Sequence, residues 1–173
     1  MANGLKHPWR SKLTTLALLS ALSLPLAAAD LYKEALDYQA KGESKAAIIQ
    51  LKNLLQDNPK HAQGRHLLGQ LLFDDKNFAA AEKELERALR LGAGNDVLPL
   101  LVQAQLAQQR LSEAQKVLES QWDESFQPSQ RWMYLGNIHL ARGKLNDAEA
   151  AYYQSLQVAD NPKATLGLAL TAR

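Results

Sequence analysis

The chain has 173 residues, 20 basic and 18 acidic side chains and no cysteine, which excludes disulfides, thiolate metal sites, a cysteine nucleophile and a lipid-modified cysteine within it. Leu (33) and Ala (27) far outnumber Val (4) and Ile (3); Leu and Ala lose little freedom in a helix, so an all-α fold is expected and sheet-based enzyme folds are disfavoured. The net charge of +2 arises at the N-terminus, because residues 1–29 hold Lys6, Arg10 and Lys12 and no acid, while residues 30–173 carry 17 basic and 18 acidic side chains.

Such a near-neutral body offers no electrostatic case for nucleic acid. Residues 1–29 have the layout of a secretory signal peptide. A positive segment with Lys6, His7, Arg10 and Lys12 precedes the apolar run Leu13–Leu22. Pro25 then interrupts the apolar run, and Ala27-Ala28-Ala29 supplies small residues for cleavage before Asp30. From Leu13 to Ala29 is 17 residues, short of the roughly 20 a membrane span needs. Cleavage, a periplasmic location and no stable membrane insertion are therefore expected, with an uncleaved anchor as the alternative.

From Leu31 onward the chain repeats. Ala47, Ala81, Ala114 and Ala148 are spaced by 34, 33 and 34 residues. Five residues before each lie Gly42, Lys76, Gln109 and Gly143; four after lie Leu51, Leu85, Leu118 and Tyr152. The last complete unit is the clearest, with Trp132, Leu135-Gly136, Gly143, Ala148, Tyr152 and Pro162. This pattern resembles the tetratricopeptide (TPR) family, one helix–turn–helix per repeat. The resemblance implies a right-handed solenoid of about four repeats, near 30–60, 61–94, 95–127 and 128–161, followed by a terminal helix over 162–173. Gly69 and Gly136 are expected where two helix backbones approach closely. Trp132, Phe78, Tyr152 and Leu85 are expected to be core. Leu166-Gly167 stands where a fifth repeat would begin, so 162–173 reads as a capping helix or as the edge of a truncated longer array.

One stretch has a narrower likeness. Lys45–Pro59, Leu67-Leu68-Gly69, Ala80–Gly92 and Asp96–Leu101 resemble the TPR proteins of the PEP-CTERM/exosortase system of Gram-negative bacteria, over roughly Ala40 to Leu118. Those proteins are longer arrays, commonly lipoproteins, encoded near exopolysaccharide and protein-sorting genes. The resemblance implies a scaffold in envelope assembly, although this chain is shorter and lacks the lipidation cysteine.

No catalytic constellation is present. His61 and His66 are five apart, the wrong spacing for two ligands on one helical face. Asp74-Asp75 and Asp123-Glu124 lie near helix ends, where solvated charge is the simpler reading. No phosphate loop, G-x-S-x-G or H-E-x-x-H occurs. Lys83, Glu84, Glu86, Arg87 and Arg90 read as an exposed helix face. No enzyme activity, metal or cofactor is expected. By the family resemblance, first helices line a concave groove, whose candidate residues are Tyr32, Lys33 and Leu36; His66, Gln70 and Phe73; Gln103 and Leu106; and Met133, Tyr134, Asn137 and Leu140. The positions that hold a carboxylate clamp in chaperone-tail receptors are Tyr32, Leu36, Leu67, Asp96 and Leu100 here, and none is cationic. A protein or peptide partner in the groove is expected, with self-association through 162–173 as the alternative.

Overall fold

A computed structural model describes residues 24–123 and 126–172. Of the signal-like segment, residues 1–23 lie outside the described part. Helix α1 (Leu24–Ala40) is followed by α2 (Ser44–Asp57), α3 (Ala62–Asp74), α4 (Phe78–Arg90), a short 3-10 turn at Asn95–Val97, α5 (Leu98–Ala107), α6 (Leu111–Ser120), α7 (Pro128–Ala141), α8 (Leu145–Val158) and α9 (Pro162–Thr171). The described residues contain nine α-helices and no strand. None of these helices is long and apolar enough to cross a membrane. Helix α1 starts seven residues before Leu31. Pro25 sits in its first turn, where proline's missing N–H has no intrahelical partner to lose, and the following alanines propagate the helix.

The helices pack as successive antiparallel pairs, α1–α2, α3–α4, α5–α6 and α7–α8, with α9 laid against α8 and α7. Every within-pair turn uses one backbone device. Gly42, Lys76, Gln109 and Gly143 adopt positive φ, between 59° and 76°. The next residue's N–H then donates to a carbonyl five positions back: Glu43 to Tyr38, Asn77 to Leu72, Arg110 to Gln105 and Lys144 to His139, each at 2.9 Å. This is the Schellman ending, which satisfies carbonyls that a helix C-terminus leaves open. At Lys76 and Gln109 a side chain occupies a region that costs about 1 kcal/mol more than for glycine.

The core is set by pairs sixteen residues apart. Ala35 with Leu51, Gly69 with Leu85, Val102 with Leu118, and Gly136 with Tyr152 place a small or compact residue of the first helix and a larger one of the second at equivalent buried positions. The fit is tightest at the glycines. A Cβ on Gly69 would lie 2.7 Å from Leu85 Cγ, and one on Gly136 would lie 2.6 Å from Tyr152 Cδ1. At Gly136 the expected approach of two backbones is an approach of backbone to side chain, whereas at Gly69 the backbone carbonyl of Ala81 also comes near, 3.4 Å from such a Cβ. Tyr152 is held on two sides, because a Cβ on Gly167 of α9 would lie 2.7 Å from its Cε2. Its hydroxyl donates to Asn137 Oδ1 at 2.9 Å. Trp132 and Phe78 are only half-buried, unlike Tyr152 and Leu85.

Sequential contacts are sparsest between α6 and α7. There Trp122 is buried, its indole N–H donates to the Phe126 carbonyl at 2.5 Å, and its ring meets Tyr134 edge-on at 5.9 Å. Arg131 Nε donates to the Leu118 carbonyl at 2.9 Å across the same junction. At the far end α9 buries Ala164 and Gly167 and leaves Leu166 (64%) and Leu170 (53%) exposed.

Gly136→Ala should destabilise the protein. Alanine's helix-propensity gain is about 1 kcal/mol, whereas overpacking a ring already gripped from its other side costs about 1–3 kcal/mol. Combining it with Tyr152→Leu, the pairing that Ala35 and Leu51 already use, should recover part of that loss. Urea unfolding of the four members of this cycle should show a coupling of at least about 0.5 kcal/mol. Strict additivity would contradict the packing account.

Candidate functional site

Residues three before, one after and four after the small residue of each first helix lie on a common helical face. These are Tyr32, Leu36 and Gln39 on α1; His66, Gln70 and Phe73 on α3; Pro99, Gln103 and Leu106 on α5; and Met133, Asn137 and Leu140 on α7. Helices α3, α5 and α7 contact one another in that order, so their faces adjoin.

Met133 is the one buried position of this strip; Leu36 and Gln70 are exposed, and the others, Asn137 and Leu140 of α7 included, are half-buried. Among the expected groove residues, Gln70 is exposed and Tyr32, His66, Phe73 and Gln103 are half-buried, whereas Lys33, also exposed, lies off this face, two residues before Ala35. Tyr32 packs on the ring of His61 at 5.0 Å, and Phe73 meets Phe78 edge-on at 5.2 Å. His61 itself caps α3 by accepting from the Gly64 N–H at 2.9 Å. The Gln103 amide donates to the Pro99 carbonyl of its own helix at 3.1 Å.

The placement on α7 departs from the groove expectation. Met133 and Tyr134 are only 2% and 4% exposed. Trp122 covers Tyr134, and Met133 Sδ accepts from Asn137 Nδ2 at 3.3 Å. With its other amide atom engaged by Tyr152, Asn137 is an interhelical connector. Burial pushes the Tyr134 hydroxyl up to about 12 and raises that of Tyr152. Met133 and Tyr134 instead border a depression of about 560 Å³ between the start of α7 and the α8–α9 turn, with Gln130 and Asn161 on its rim.

Two charged residues on apolar faces escaped the sequence reading. Glu82 of α4 is nearly buried and accepts from Gln105 Nε2 (3.1 Å), Gln108 Nε2 (2.9 Å) and Arg110 Nη1 (2.7 Å), joining the second helix pair to the third. Arg65 of α3 donates through Nε and Nη2 to the Pro59 carbonyl, at 2.9 and 2.6 Å, and through Nη1 to Glu84. Glu84 therefore does not belong to a solvated face; its other oxygen accepts from Arg87 at 3.2 Å. Glu86 and Arg90, by contrast, pair at 3.6 Å on the surface. A signal was available in each case. Glu82 lies three and seven residues before Leu85 and Leu89, and Arg65 lies three and seven before Leu68 and Leu72. That spacing puts them on the apolar faces of their helices.

Among the described residues no group of three or more His, Asp or Glu is placed to hold a metal ion. The groups on the strip are amides, rings and aliphatic chains, which can satisfy peptide backbone and bury apolar side chains.

A family model described as a tetratricopeptide repeat-like domain matches residues 24–170. No curated protein matches the sequence. Among solved structures, PilF of Pseudomonas aeruginosa is similar with a TM-score of 0.68 and 24% identity, over 86% of this chain and 69% of that one. YrrB, a TPR protein with an unusual peptide-binding site, has a TM-score of 0.71 at 17% identity, over 90% of this chain and 82% of that one. A thermophilic TPR protein of Thermus thermophilus, TTC0263, has a TM-score of 0.61 at 19% identity, covering 83% and 80%. At these identities the likeness is one of fold.

His66 links the strip to pH. Burial lowers its pKa below the ordinary value of 6.5, against a weaker upward pull from Asp96. The unfolded chain therefore takes up the proton first as pH falls. Stability is unaffected above about 6.5 and declines below it, until the pH reaches the lowered folded value. Urea midpoints at pH 7.5 and 5.0 should show a smaller acid loss for His66→Gln than for the parent; equal losses would refute the assignment.

Proposed function

The chain belongs to the tetratricopeptide repeat-like domain family, and on that premise we propose that it is a non-enzymatic interaction scaffold that binds a protein partner along its first-helix strip. The observation that carries this reading is the set of side chains Tyr32, His66, Gln70, Phe73 and Gln103, exposed or half-buried on one register of α1, α3 and α5, of which α3 and α5 are in contact. Their amides can pair with an extended backbone, and their rings and aliphatic groups can receive its side chains. The peptide-binding site of YrrB supports the same use of this fold. On this reading the strip's working part lies over α1, α3 and α5, because Met133 and Tyr134 are buried.

The proposed setting is the periplasm. Its support is the charge and apolar pattern of residues 1–29, with cleavage before Asp30 leaving an α1 of Asp30–Ala40. A role in exopolysaccharide export or exosortase-linked envelope assembly is proposed on the sequence resemblance over Ala40–Leu118 alone.

A second reading has its own observation. Leu166 and Leu170 are exposed on α9 at positions equivalent, relative to the motif glycine, to Leu68 and Leu72, which are buried within the array. An apolar face of this kind suits end-on assembly.

Crosslinking with the mature protein in its native periplasm tests the first reading. Gln70→Ala with Gln103→Ala should remove a discrete partner while helicity and the urea midpoint stay near the parent's. Tyr134 and Asn137 are unsuitable probes, because Tyr134 packs on Trp122 at the α6–α7 junction and Asn137 accepts from Tyr152 between α7 and α8. A partner retained at full yield by the double variant would refute strip binding. For the second reading, light scattering should show concentration-dependent dimers that Leu166→Glu with Leu170→Glu abolishes. A parent monomeric at every concentration would dismiss it.

A further inference from the structure

The face of α3 turned away from the strip carries a different chemistry. At 100° per residue, Arg65, Leu68 and Leu72 are centred roughly 130° around the helix from His66, Gln70 and Phe73. They form the floor of a groove of about 420 Å³, walled by Lys52, Leu55 and Gln56 of α2 and by Ala80, Lys83, Glu84 and Arg87 of α4. Leu68 and Leu72 are buried there and Leu55 half-buried, so the floor is aliphatic.

Its rim is cationic. Lys52, Arg65, Lys83 and Arg87 face one carboxylate, Glu84, leaving a formal surplus of three positive charges. Arg65 and Arg87 share that carboxylate, while Lys52 and Lys83 make no ion pair among the described residues. A second depression of about 250 Å³, lined by Pro59, Arg65, Arg87, Arg90 and Leu91, prolongs the basic rim toward the end of α4. The surplus is local, since residues 30–173 carry 17 basic and 18 acidic side chains.

Arg65 is the built element. It is only 9% exposed. Three of its donor contacts are fixed to Pro59 and Glu84, so it holds a positive group in the floor without rotamer freedom to lose on binding. A groove of one charge sign with low-dielectric walls concentrates the opposite charge. Its aliphatic floor rewards apolar side chains between those charges.

We infer that the α2–α4 groove is a docking site for an acidic amphipathic helix of a partner protein, with leucine-like side chains on Leu55, Leu68 and Leu72 and carboxylates on Lys52, Lys83, Arg87 and Arg90. From Asn77 to Arg90 the wall runs about 20 Å, matching a helix of about 13 residues at 1.5 Å per residue. The site lies on a separate face from the strip and is independent of it.

Fluorescence anisotropy with the full chain tests this. The probe is a fluorescein-labelled helical peptide of about 14 residues, with Leu at i, i+3 and i+7 and Glu beside them. Controls are the same peptide with Leu→Ser, the same with Glu→Gln, and a single-stranded oligonucleotide of equal charge. The Glu–Leu peptide should bind at least about tenfold more tightly than each control and weaken with salt. Lys52→Glu with Lys83→Glu, both at exposed positions, should weaken it by at least about tenfold, whereas Gln70→Ala with Gln103→Ala should leave it unchanged. Absence of binding, indifference to the charge reversals, equal binding of the Ser peptide, or equal binding of the oligonucleotide would each overturn the inference; the last would make the rim a general anion surface.

Discussion

The array depends on one packing constraint, a large side chain of the second helix seated against a residue without a side chain sixteen positions earlier, as Leu85 is on Gly69 and Tyr152 on Gly136. Tyr152 shows it most fully. Its ring fills the space that the missing Cβ atoms of Gly136 and Gly167 leave on α7 and α9, and its hydroxyl ends on Asn137. One side chain thus closes the fourth helix pair and attaches the terminal helix. Protein interiors are dense enough that neither glycine can gain even a methyl group without displacing the ring. The four positive-φ turns serve the same end. Each reverses the chain within a few residues, so the second helix returns in register with its partner.

Polar groups lock the units together where the apolar pairs do not reach. Glu82 crosses from α4 to α5 and to the α5–α6 turn, and Arg65 ties the α2–α3 connection to α4. A buried charge is costly unless paired and hydrogen-bonded, and both residues meet that condition. Their contribution is orientation: each needs donors or acceptors from two elements, so it restrains the angle between neighbouring units. That angle sets how the open strip on α1, α3 and α5 lines up, and how α2 and α4 border the cationic groove on another face. The two surfaces differ in chemistry, because the strip carries amides and rings while the groove carries lysine and arginine over leucine.

Much of the frame was legible in the residues. The alanine period placed the reversals, and the register that marked Gly42 and Gly143 also marked Lys76 and Gln109, which adopt the same backbone without being glycine. The site was less legible. Met133 and Tyr134 occupy strip-register or adjoining positions, yet both are buried, and Trp122, from a connection outside the motif, packs against Tyr134. Glu84 stands in a run of charges that reads as solvated, and only its proximity to Arg65, nineteen residues earlier, brings it inward.

By itself, the sequence determined the helical class, the repeat period and the reversals, because these follow from propensity and backbone sterics acting within some 35 residues. Tertiary structure decided which positions on a shared face stay open, which charges are buried, and where basic residues from two helices meet over an aliphatic floor. Those outcomes depend on contacts between units. They turn on the angle at which one helix pair meets the next, a quantity that no local spacing encodes.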